Sequence, residues 1–113
     1  MKRTVELLFL LAFVPLRAFA ADIAGPLIWG AGNIECVDYL HAVDAKDRIT
    51  TATVMTWAEG FLTATNMDRV INKDPPLQHI TPALISAYIE KYCRDDTTQL
   101  VVGGVVKLSI ELK

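Results

Sequence analysis

Residues 81–93 read Thr81-Pro82-Ala83-Leu84-Ile85-Ser86-Ala87-Tyr88-Ile89-Glu90-Lys91-Tyr92-Cys93, and the fold turns on how this stretch is read. Threonine followed by proline marks a helix start. The hydroxyl accepts from one of the first free amides, and proline loses nothing by lacking an amide at the first helical position. Leu84, Ile85, Tyr88, Ile89, Tyr92 and Cys93 then recur three and four residues apart, which gives a helix one broad apolar face. Cys93 falls in the last turn. The chain holds 2 cysteines, so Cys36 is its only possible internal partner.

Whether the two thiols join depends on the compartment. Met1-Lys2-Arg3 supplies a positive start, Val5 to Val14 is apolar except for Glu6, Pro15 breaks the run, and Ala18-Phe19-Ala20 is a small-x-small cleavage pattern. The apolar run is about ten residues, too short for the roughly 20 a spanning helix needs. The expectation is a cleaved signal peptide over residues 1–20, no lipid anchor because no cysteine follows Ala20, and delivery to the periplasm. There a thiol pair is expected to become a disulfide. Joining Cys36 to Cys93 closes a loop of 58 residues, both ends counted. The chain-entropy account assigns such a loop roughly 4 kcal/mol, a large share of a small domain's stability.

Cleavage would leave 93 residues with 8 basic and 12 acidic side chains, a formal charge of −4. That balance gives no basic stripe for nucleic acid, and 93 residues make one domain with a modest core. Residues 21–33, rich in glycine, read as an irregular arm, with Leu27, Ile28 and Trp29 expected to tuck onto the domain. Asn33 is the expected cap of a first helix, with Glu35 in its first turn and Cys36, Leu40 and Val43 facing inward. Asp44 to Asp47 reads as a connector.

A second helix is expected from Arg48 to Thr65, its inner side formed by Val54, Trp57, Phe61, Ala58 and Leu62. Gly60 within it points to a close approach by another helix or the arm, and Asn66 to a left-handed stop. A long loop, Asn66 to Ile80, follows, containing Asn72-Lys73-Asp74-Pro75-Pro76. The tail reads two ways. Leu100, Val101, Gly104, Val105, Leu108 and Leu112 fit a helix entered through Asp96-Thr97-Thr98, whereas Val106, Leu108, Ile110 and Leu112 alternate as in a strand. A lone strand would have no partner, so the helix is the expectation. The sum is an all-α, four-helix domain over residues 34–113 stapled by one disulfide.

Catalytic patterns are missing: no phosphate loop, Cys-x-x-Cys, His-Glu-x-x-His or Gly-x-Ser-x-Gly occurs. His41 with Asp38 and Asp44, His79 in the proline loop, and Glu59 between Trp57 and Phe61 are the titratable candidates. Each is read as solvated surface, and the chain as a non-enzyme without metal or cofactor. Trp57 with Phe61, and Tyr88 with Tyr92, are the aromatic stripes. They are read first as core, and otherwise as a client-binding or dimer surface.

Ile34-Glu35-Cys36-Val37-Asp38-Tyr39-Leu40, with Ala42-Val43-Asp44, resembles the first-cysteine segment of the HdeA/HdeB family of small periplasmic acid-stress chaperones. Trp57-Ala58-Glu59 with Phe61-Leu62 is similar to that family's second-helix core, and Ile80-Thr81-Pro82-Ala83-Leu84-Ile85 to its proline-capped helix carrying the second cysteine. The likeness covers roughly residues 33–95. It implies a disulfide-bonded helical fold, a neutral-pH dimer, and apolar surface exposed in acid that holds unfolding periplasmic proteins. Protonating every carboxylate and both histidines would take the side-chain charge from −4 to +10, a self-repulsion that loosens small domains. A second class, periplasmic immunity proteins that neutralise wall-cutting toxins, shares the small exported helical design. In that class the Asn66–Ile80 loop and the acidic residues would meet the toxin.

Overall fold

Four α-helices run through residues 28–112, the part of the chain that a computed structural model describes. They are α1 (Cys36–Asp44), α2 (Arg48–Ile71), α3 (Pro82–Asp95) and α4 (Val101–Glu111), preceded by a 3₁₀ turn over Gly30–Asn33. The expected leader and the first part of the arm lie outside the described residues. Among the described residues there is no strand, only a single bridge between Glu35 and Leu100. The expected all-α class is therefore what forms, stapled by a Cys36–Cys93 disulfide with Cα atoms 4.9 Å apart. Both sulfur-bearing residues are fully buried where α1 begins and α3 ends.

Asn33 does not cap α1. It closes the 3₁₀ turn, and the helix starts at Cys36 without a side-chain cap. The chain between α3 and α4 serves its first amides instead: Cys36 N donates to the Gln99 carbonyl at 2.8 Å and Val37 N to that of Thr97 at 3.2 Å. With Val101 N donating to the Ile34 carbonyl at 3.0 Å, both ends of the domain are stitched together beside the disulfide. A helix end satisfied by main chain needs no cap residue.

The α1–α2 turn is tight, Lys46 taking φ 55°, and Asp47 caps α2 by accepting from Ile49 N and Thr50 N at 3.1 Å each. α2 then runs 24 residues, six beyond the expected end at Thr65. Asn66 does not stop it, because no residue from Asn66 to Ile71 opposes helix and the prolines come only at Pro75-Pro76. Its side chain accepts from Leu77 N at 2.7 Å and pins the return loop, which shortens to residues 72–81. α3 opens as read: the Thr81 hydroxyl accepts from Leu84 N at 3.1 Å.

The tail is helix, and glycine explains why β-branched residues do not make it a strand. A Cβ on Gly104 would stand 2.9 Å from Tyr92 Cδ1, and one on Gly103 would overlap the Tyr92 hydroxyl, so both glycines mark where α4 lies close on α3. Asp96-Thr97-Thr98 forms a turn ahead of α4 rather than its cap; α4 begins after Leu100. Val54, Ala58, Leu62, Ile85, Ile89, Val101, Val105 and Leu108 fill the core with Tyr39 and the disulfide, and among the described residues no polar or charged residue is buried with them.

Candidate functional site

The two aromatic stripes occupy different places, each half in the core and half out. On α2, Trp57 and Phe61 sit one turn apart and stack with centroids 5.5 Å apart and planes at 28°. The Trp57 indole lies flat against the backbone of Gly32, where a Cβ would fall inside the ring, and its Nε1 donates to the Trp29 carbonyl at 2.7 Å. The arm is therefore held by a main-chain oxygen. The Trp29 side chain, expected to tuck in, is 80 % exposed, because the bond that fixes the arm uses its carbonyl and leaves the indole pointing away. Leu27 lies outside the described residues.

Beside Trp57 runs an open groove of about 600 Å³ floored by Gly30, Ala31, Ile49, Ala52, Thr53 and Thr56, none of them charged. Tyr88 and Tyr92 line a smaller cleft of about 180 Å³ between α3 and α4, with Lys91, Asp95, Lys107 and Glu111 at its rim. Burial, and then the nearby Glu111 carboxylate, push the Tyr88 phenol up to about 12, so it stays neutral. Tyr39, deeper in the core, is raised chiefly by burial.

The titratable candidates do not assemble into a catalytic or ligating group. His41 and Asp38 are exposed beside an open cavity of about 660 Å³, while Asp44 turns to Arg94, whose Nη2 donates to Asp44 Oδ1 at 2.9 Å and to Glu90 Oε1 at 2.9 Å. Glu59 points outward from α2, and His79 sits exposed at φ 60° in the loop before α3. Among the described residues no three His, Cys, Asp or Glu side chains are placed to hold a metal ion.

Two carboxylates hold the turns, Asp47 where the sequence reads only a connector and Asp96 where it reads a helix cap. Asp47 accepts from the Thr50 hydroxyl at 2.7 Å besides its two amides, and these bonds hold its carboxyl below the usual range. Asp96 accepts from the Thr98 hydroxyl at 2.6 Å, Thr98 N at 3.0 Å and Gln99 Nε2 at 3.0 Å, and is lowered for the same reason. Asp followed by threonine two or three residues on is the sequence signal for both. A further omission is a set of exposed large apolar residues on α2, Ile49, Met67, Val70 and Ile71, which fall off the inward stripe.

No protein-family model, curated protein or solved structure matches this chain.

Proposed function

We propose that this chain is a small exported binding protein of the HdeA/HdeB type, a holdase that opens in acid and shields unfolding periplasmic proteins with its apolar surface. The observation that carries the reading is where the carboxylates stand. The α1–α2 turn depends on Asp47, the α3–α4 turn on Asp96, and the α1–α3 ion pair on Asp44 with Glu90 around Arg94, while among the described residues the core holds no charge. Acid strong enough to protonate Asp47 and Asp96 removes their caps and leaves the disulfide intact. The half-buried Trp57 and Phe61 under the N-terminal arm, and Tyr88 and Tyr92 between α3 and α4, become the client surface as the helices loosen.

The test is light scattering from an unrelated protein that aggregates in acid. The oxidised chain is expected to suppress aggregation at about pH 2–3 and to do little at pH 7. Equal aggregation with and without the chain at low pH would contradict the reading. Neutralisation of a wall-cutting toxin has one observation in its favour, the exposed Met67, Val70 and Ile71 beside the 72–81 loop. Tight binding to an amidase-like effector at neutral pH would select that function instead.

A further inference from the structure

The α1–α2 turn sends its charges to opposite sides. Asp47 lines the open cavity of about 660 Å³ that also holds Glu35, Asp38 and His41. Lys46 and Arg48, on either side of it in the chain, line a second cleft of about 350 Å³ between α1, α2 and α3. Neither cation is paired: the ion pairs among the described residues are Lys91–Asp95, Arg94–Asp44 and Arg94–Glu90. Nor do their places in the chain favour them. Arg48 is the first residue of α2, where the helix dipole opposes a cation, and Lys46 takes φ 55°, a backbone that suits glycine. The side-chain bonds that hold the turn come from Asp47 instead.

The wall of the cleft carries a further donor. Tyr39 is 1 % exposed, and its phenol is hydrogen-bonded to the Ser86 hydroxyl where both meet the cleft. Two hydroxyls hold two protons and their mutual bond uses one, so one O–H remains to donate. The Thr51 hydroxyl is spent on the Asp47 carbonyl at 2.9 Å. Glu90 is the one carboxylate lining the cleft, and its Oε1 already accepts from Arg94 Nε at 3.1 Å and Nη2 at 2.9 Å. Val43, Ala52 and Met55 complete the lining and are apolar.

We infer that this cleft is a binding site for a small monocarboxylate with a short apolar body. The carboxylate sits between Lys46 and Arg48, whose guanidinium offers the parallel N–H donors that a carboxylate fits, and it accepts the spare proton of the Tyr39–Ser86 pair. The apolar body lies against Val43 and Met55. Glu90 sets the charge, because a second negative charge on the ligand meets its repulsion. An open cleft and a single anchored group give weak binding, with dissociation on the order of 1 mM. The site belongs to the closed fold and shares no residue with the aromatic stripes, so it stands or falls independently of the holdase reading.

The test is hexanoate, titrated at constant ionic strength and pH 7 from about 0.1 to about 20 mM into the oxidised chain and followed by amide NMR. Saturable shifts are expected at Val43, Lys46, Ala52 and Ser86. Hexanamide, the same body without the charge, and inorganic phosphate should each bind at least about tenfold more weakly. Arg48→Gln and Lys46→Gly should each weaken hexanoate at least about fivefold. Both side chains are exposed and glycine suits φ 55°, so folding is not at risk. Lys107→Gln, on exposed α4, should change nothing. No saturation by about 20 mM, equal binding of hexanamide or phosphate, or unchanged affinity in either α1–α2 variant would each overturn the assignment.

Discussion

Asp47 binds two backbone amides and a hydroxyl with one carboxylate, and Asp96 repeats the device before α4. Each carboxyl is lowered in the folded chain from an ordinary value of 3.8. The stabilisation from each is therefore complete above about pH 4 and is lost as pH falls through the lowered value. Asparagine keeps an acceptor oxygen but has no proton to gain. The Asp47→Asn, Asp96→Asn double variant should match or fall slightly below the parent at pH 7, yet lose less stability between pH 7 and pH 3, as measured by urea midpoints at the two pH values. An identical loss in parent and variant would show that these caps do not sense acid. The residue scale is also where the sequence was least legible. Trp29 and Trp57 are both apolar and aromatic, and only the glycine backbone passing beneath Trp57 decides which one is covered. Likewise the pattern that marks Gly60 as unusual cannot tell that Gly104, and not Gly60, meets a neighbour within the chain.

Thr81-Pro82 marks the start of α3 to the residue, because proline and a hydroxyl leave few alternatives. The cap signals at Asn33 and Asp96-Thr97-Thr98 mislead: main-chain bonds serve the start of α1, and a turn precedes α4. Ends without such a signal are left open: α2 overran Asn66 because nothing before the Asp74-Pro75-Pro76 run forbids another turn. The α4 tail was ambiguous for a physical reason, since alternation and helical spacing coexist in Val105-Val106-Lys107-Leu108-Ser109-Ile110. What selects helix is contact with α3, which local sequence does not contain. Two glycine substitutions separate the roles. Gly104→Val forces a side chain into Tyr92 and should cost about 1–3 kcal/mol by overpacking. Gly60→Ala fills open space in a helix interior and should gain up to about 1 kcal/mol. Thermal midpoints moving in opposite directions check the pair; a neutral Gly104→Val would mean that α4 is not seated on α3 as described.

At the scale of the molecule, the disulfide joins the start of α1 to the end of α3, 57 residues apart in sequence, at the place where main-chain bonds also gather the α3–α4 connection. Removing it as Cys36→Ser, Cys93→Ser should cost about 2–5 kcal/mol, read from urea unfolding at pH 7. Because both cysteines are fully buried, the native chain should resist reductant until it opens. A bridge in the deepest part of the core, with carboxylate ties on the outside, is the arrangement that lets acid act on one without breaking the other. That division is the central claim, and a single acid titration of the oxidised chain with an aggregating client tests it most directly. In a Trp29→Phe chain, which leaves Trp57 as its one indole, fluorescence without client and light scattering with client are followed in parallel from pH 7 to pH 2. The account predicts that the indole environment changes below about pH 4 and that suppression of scattering appears over the same interval, both reversing on neutralisation. An indole signal that stays native down to pH 2, or one that changes while the client still aggregates freely, would contradict it.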